Sequence, residues 1–164
     1  MTDASMSHRL SLPCDITPYL PHRYGMCLLD TLLEVGDEHL HAATTPRQDS
    51  LFACADGIFG WVGLEWLAQA VAAWAGVQAV AKGGTPRIGF LLGTRRYQCQ
   101  TQHFAFDQPI RIEVELDFRA DNGLGAFRGR LLNKRNEPLG FATINVFQPE
   151  SQTALEAMQE RSGL

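Results

Sequence analysis

The stretch IFGWVGLEWLAQAVAAWAGVQAVA, Ile58–Ala81, decides how the chain is read, because across all 24 positions its only formal charge is Glu65. It is long enough to raise a membrane span. Its Ala, Gly, Val and Trp content, with Gln69 and Gln78 inside it, gives a poor insertion energy and points to a helix enclosed by its own protein. Lys82-Gly83-Gly84-Thr85-Pro86 follows as a stop, a cation and then glycines at the carboxyl end. Asp56-Gly57 punctuates the chain just before the helix, after a loop expected over Pro46 to Gly57.

On either side of the helix the pattern is that of strands. Met26 to Val35 reads as a buried strand, Gly36-Asp37-Glu38 as a turn and Leu40 to Thr45 as its return, which makes a hairpin. From Arg87 onward strands continue. In the clearest of them Ile110, Ile112, Val114, Leu116 and Phe118 face one way, and Arg111, Glu113, Glu115 and Asp117 the other. Asp121-Asn122-Gly123 and Lys134-Arg135-Asn136 are turns around Gly125 to Leu132 and before Leu139 to Phe147, so these strands are antiparallel. The order of two strands, a helix and about four strands is not that of a parallel sheet. It predicts an α+β fold, a curved antiparallel sheet wrapped around one long central helix, with alanines where the sheet comes close and Trp61, Trp66 and Trp74 in wider gaps or a subunit contact. The domain is expected over 15–148, after a flexible tail over 1–14 that gives way to a short helical stretch from Asp15 to Leu20. A tail or short helix over 149–164, best at Thr153 to Arg161, is expected after it.

A chain of 164 residues, 45% apolar and 20% charged, suits one globular core. The net charge of −4 gives no general reason to bind nucleic acid or anionic lipid. Cys14, Cys27, Cys54 and Cys99 lack a CxxC pair and read as reduced core thiols. No secretory pattern opens the chain, so a cytoplasmic location is expected. His39 and His41 share a strand face, yet two ligands without a third make no metal site. Gly123, Gly125 and Gly129 miss the dinucleotide spacing. Arg95 and Arg96, with Arg128, Arg130 and Lys134, are either a basic patch or ordinary surface charge.

LPHRYGMCLLDTLLEV, Leu20–Val35, and GLEWLAQA, Gly63–Ala70, resemble the two signatures of the hot-dog fold 3-hydroxyacyl-acyl-carrier-protein dehydratases. More narrowly, DGIFGWVGLEWLAQAVAAWAG, Asp56–Gly76, and IGFLLGTRRYQ, Ile88–Gln98, are similar to the dehydratase-like branch of aryl polyene biosynthesis. The resemblance implies a lyase that dehydrates 3-hydroxyacyl thioesters to trans-2-enoyl thioesters, with no cofactor. It implies an acyl carrier protein as partner, an acyl chain along the helix, and sites between subunits of a homodimer or with a second hot-dog subunit. Acyl thioesterase and a non-catalytic acyl-binding or partner subunit are the alternatives.

The resemblance places the family's helix Glu at Glu65 and its loop His at Leu51, which leaves the usual acid and base pair incomplete. Elimination needs one group to take the α proton and another to protonate the leaving hydroxyl. Leucine does neither. His22, in the LPHR motif, and Asp56 are the nearby candidates, although the LPHR His is not the principal acid or base in ordinary dehydratases. The expected catalytic residues are thus Glu65 and His22. A lone acid in an apolar helix is costly unless it has a partner or a task, and a working His22 would give the pH profile a limb near neutrality. His22 otherwise bonds the backbone of its turn. Gly60, Gln69, Asp56 and Trp61 are expected to bind substrate: Gly60 through a backbone N–H on the thioester carbonyl, and Gln69, at i+4 from Glu65, by orienting the carboxyl group or the substrate.

Overall fold

The computed structural model describes residues 10–87, 89–149, 156, 157, 160 and 161. Ten strands and one long helix are seen among them: β1 (Cys14–Asp15), β2 (Thr31–Val35), β3 (His39–Thr44), β4 (Ala53–Cys54), β5 (Gly57–Phe59), α1 (Val62–Ala81), β6 (Phe90–Cys99), β7 (His103–Phe104), β8 (Ile110–Arg119), β9 (Leu124–Leu132) and β10 (Pro138–Phe147). Seven strands form one sheet in the order β1-β2-β3-β8-β9-β10-β6, and β4, β5 and β7 a small second one. Every pairing is antiparallel.

The sheet packs on α1 because one face of each strand is apolar. Leu32, Leu40, Ile112, Leu131 and Ile144 are fully buried against Leu67, Ala70 and Ala73 of the helix. Small residues set the distance between the layers: a Cβ on Gly129 would lie 2.7 Å from Leu67 Cδ2, and one on Gly76 only 1.9 Å from the Tyr19 carbonyl oxygen. The segment before β2 therefore lies directly on the helix. Gly76→Ala should cost about 3 kcal/mol in a chemical denaturation curve, because the atom it strikes is backbone.

The stop after α1 closes as expected: Gly83 takes φ 80° and Gly84 N–H donates to the Ala79 carbonyl at 2.8 Å. Other boundaries differ. The helix begins at Val62, since Gly57–Phe59 pairs as β5, and the loop before it contains β4. Only Thr31–Val35 of the first expected strand is a strand, and the stretch from Asp15 to Leu20 holds a single 3-10 turn, Thr17–Tyr19. The alternation in β8 holds through Leu116. A bulge at Asp117 then shifts the register, and Phe118 is 60% exposed rather than buried.

Most of the tail expected over 1–14 lies outside the described residues, and Cys14 belongs to β1. Glu156, Ala157, Glu160 and Arg161 are helical and exposed; the rest of Thr153–Arg161 lies outside the described residues. Among the described residues no helix is long and apolar enough to cross a membrane. The four cysteines are free thiols.

Candidate active site

A cavity of about 850 Å³ runs along one flank of α1. His22 and Glu65 stand at one end, Ala68, Ala72 and Ala75 of the helix form its floor, and Leu116, Phe127 and Val146 of the sheet form its wall. The floor residues recur at helical spacing below Glu65, so the channel extends roughly 15 Å from that carboxyl group at 1.5 Å rise per residue.

Glu65 and His22, more than forty positions apart in the chain, meet here. His22 Nε2 lies 3.9 Å from Glu65 Oε1. The backbone of the LPHR turn is held by a different side chain: Arg23 donates to the carbonyls of Leu20 at 2.6 Å and His22 at 2.9 Å. His22 is thereby left to the cleft, and its buried Nδ1 has no hydrogen-bond partner among the described residues. Desolvation pushes its pKa below the ordinary imidazole value, with Glu65 opposing the shift and Arg23 reinforcing it. A neutral ring beside a carboxyl group is suited to take up a proton.

Gln69 is fully buried and does not line the cavity, and of the two partners expected for it, the carboxyl group or the substrate, it is in contact with the first. Its Nε2 donates to Glu65 Oε1 at 3.1 Å and to the Met26 carbonyl at 2.7 Å, while its Oε1 accepts from Leu28 N–H at 2.9 Å. One amide fixes the carboxyl group and ties the helix to the strap that carries His22. Gln69→Ala orphans buried backbone groups and should lower stability by about 2 kcal/mol, read as a shift in the urea midpoint.

Three further residues expected to contact substrate, Gly60, Asp56 and Trp61, do not line this cavity. Gly60 N–H already donates to the Gln102 carbonyl at 2.8 Å, and the Gly60 carbonyl accepts from Tyr97 Oη, so this amide is not open to a thioester oxygen. Gly60 is needed for close approach instead, since a Cβ there would lie 2.4 Å from the Thr101 carbonyl oxygen. Asp56 is exposed in the β4–β5 turn and lines no part of the cavity. Trp61 is 60% exposed, stacked on Phe59 and edge-on to Phe52, also off the cavity. Leu51, 66% exposed, lies against the Gly25 backbone. Residues next to a helix start in sequence point to different sides of it, and this spacing could not separate them.

Elsewhere the charges pair with one another. Glu34 lies 3.0 Å from His39 Nε2 and 3.2 Å from His41 Nδ1, and the same His41 nitrogen lies 2.9 Å from the Arg111 guanidinium. Among the described residues no group of three or more His, Cys, Asp or Glu is arranged to hold a metal ion. Arg128 pairs with Glu115 and Asp117, and Arg130 with Glu113, so these two arginines form no free basic patch.

A seven-stranded antiparallel sheet curved over one buried helix, with an acid on that helix opening onto an elongated cavity, defines the hot-dog class. The model of the ApeP-like family, described as ApeP dehydratase, matches residues 14–159. The dehydratase heterocomplex ApeI:P from Xenorhabdus doucetiae contains a chain 30% identical, with a TM-score of 0.81, covering 91% of this chain and 98% of that one. The chain belongs to the ApeP-like dehydratase family, and its reaction is dehydration, a lyase activity, in aryl polyene biosynthesis.

More distant structures share the fold alone. The E. coli PaaI protein of the phenylacetic acid degradation operon is 8% identical, with a TM-score of 0.56, covering 71% of this chain and 77% of that one. A hypothetical thioesterase from Streptococcus pneumoniae, solved with coenzyme A, is 15% identical, with a TM-score of 0.53, covering 71% and 82%. The search of curated proteins found no match.

Proposed function

We propose that the chain dehydrates 3-hydroxyacyl thioesters held on an acyl carrier protein, with His22 and Glu65 as base and acid. The observation that carries this reading is the placement of both groups at the head of one channel, 3.9 Å apart. The neutral imidazole of His22 takes the α proton. The α,β double bond forms as the β C–O bond breaks, and the Glu65 carboxyl group protonates the departing hydroxyl, which leaves as water. The proton on His22 then returns to Glu65, and both groups are restored. The positive end of α1, one turn before Glu65, favours the enolate-like charge on the thioester oxygen.

A second hot-dog subunit completes the assembly in this reading. The X. doucetiae relative is a heterocomplex, and of the two edge strands of the large sheet here, β1 and β6, the long one is β6. Arg95 and Arg96 lie at its middle, and Leu92 and Arg95 bulge from its pairing with β10. Two-fold pairing of β6 with its own copy centred between Arg95 and Arg96 would set these arginines against each other, and like charges directly opposite are destabilising. A different strand, carrying carboxylates, matches them better.

The test is mass spectrometry of a 3-hydroxyacyl carrier protein after incubation with the chain, alone and with the second subunit. Loss of one water is expected. Release of the free acid would mean hydrolysis, and an unchanged mass in both arms would mean a binding role.

A further inference from the structure

The strap that carries His22 is anchored at both ends and arched between them. Leu20 is fully buried in the core, and Met26 and Leu28 are tied to Gln69 of α1. Over residues 21–25 the backbone hydrogen bonds among the described residues stay inside the strap: Met26 N–H donates to the Arg23 carbonyl at 3.2 Å and Cys27 N–H to the Tyr24 carbonyl at 3.0 Å. Tyr24 takes φ 55° with its side chain 96% exposed, a left-handed backbone that a bulky residue rarely adopts. Such a conformation persists only where its surroundings hold it.

One side chain supplies that hold at the site. A single Arg23 nitrogen, Nη1, donates to the carbonyls of both Leu20 and His22, and so bridges the buried anchor to the residue that faces the cleft. The His22 ring has no hydrogen bond of its own to fix its direction. Its Nδ1 is without a partner among the described residues, and its Nε2, 3.9 Å from Glu65, is beyond hydrogen-bond reach. The direction of the ring therefore comes from the backbone that Arg23 grips.

We propose that Arg23 is a positioning residue for the dehydration, its guanidinium stapling the arch in the shape that points the His22 ring at Glu65. The proposal rests on His22 and Glu65 being the base and acid, and deepens that reading by naming what holds them face to face. Arg23 does not line the cavity, so it acts through His22 and not on the substrate. Besides burial, which lowers the His22 pKa, the charged groups that act on the imidazole among the described residues are Glu65 of α1, which raises it, and Arg23, which lowers it.

NMR titration of the His22 ring in the full chain, with and without Glu65→Gln, reads the closeness of the two groups. In the wild type Glu65→Gln removes the charge that favours imidazolium and should move the titration to lower pH. Loss of the Arg23 charge by itself moves the titration upward, so position is read from the step that Glu65→Gln produces. In Arg23→Met that step should shrink to about half or less, because the attraction falls as the ring swings away. The rate of dehydration by Arg23→Met should fall about tenfold in kcat with KM unchanged. The titration needs no turnover, so its outcome is separate from that of the carrier-protein assay. A step of wild-type size in Arg23→Met would overturn the proposal whatever the rate, and so would an unchanged kcat. No step in the wild type would overturn the pairing of His22 with Glu65, and the proposal with it. If Arg23→Met does not fold, the same titrations on Arg23→Gln, whose polar side chain is too short to bridge both carbonyls, decide it.

Discussion

Glu65→Gln is expected to reduce dehydration by about a hundredfold or more while leaving the fold intact. The substitution keeps the size of the side chain and an oxygen that can accept from Gln69 Nε2. It removes only the titrating proton. The loss should appear in kcat with little change in KM, because the carboxyl group acts on the leaving hydroxyl in the transition state and contributes little to holding the acyl chain. A higher KM with kcat preserved would make Glu65 a binding residue. Full activity in a folded variant would make it structural.

His22→Ala is expected to be as severe, about a hundredfold or more, because among the described residues no other imidazole lines the cavity to remove the α proton. The pH dependence follows from the direction of its shift. Burial holds His22 below the ordinary imidazole value of 6.5, so the ring remains a base as pH falls through that value and is lost only below it. The acid limb of the wild-type profile should therefore lie under 6.5, lower than the near-neutral limb expected from the sequence, and His22→Ala should abolish it. Stability should decline in the same direction. As pH falls below the ordinary value, the unfolded chain takes up a proton that folded His22 and the similarly buried His41 resist, so acid favours unfolding. A limb that persists in His22→Ala would assign it to another group.

Much of the fold was legible because its signals are local. The Lys82-Gly83-Gly84 stop needs only the helix end beside it, and the alternation from Ile110 to Leu116 records one wet and one buried face. The misreadings share a cause. Phe118 follows the alternation in sequence but comes after the bulge at Asp117, and a bulge depends on the partner strand β9. The small sheet of β4, β5 and β7 joins two- and three-residue strands too short to carry a period.

The site divides in the same way. Glu65 stood out because a charge in an apolar helix is visible without a structure, and its i+4 relation to Gln69 is a property of the helix alone. His22 was singled out by elimination and by its motif. Its approach to Glu65 depends on the strap from Leu20 to Leu28 being tied down by Gln69, which no spacing reveals. Gly60 is expected at the site from the family's use of a backbone N–H there, and Asp56 and Trp61 stand close to the helix start in sequence, but neither ground tells on which side of the helix a residue lies.

The most direct test is the rate at which the 2-enoyl thioester forms from a 3-hydroxyacyl carrier protein, measured for the wild type, Glu65→Gln, His22→Ala and the double variant, each shown to be folded. Two groups that serve one elimination act as a unit, so the double variant should be about as slow as the slower single variant. Losses that multiply in the double variant, or a single variant that retains the wild-type rate, would contradict an elimination shared between His22 and Glu65.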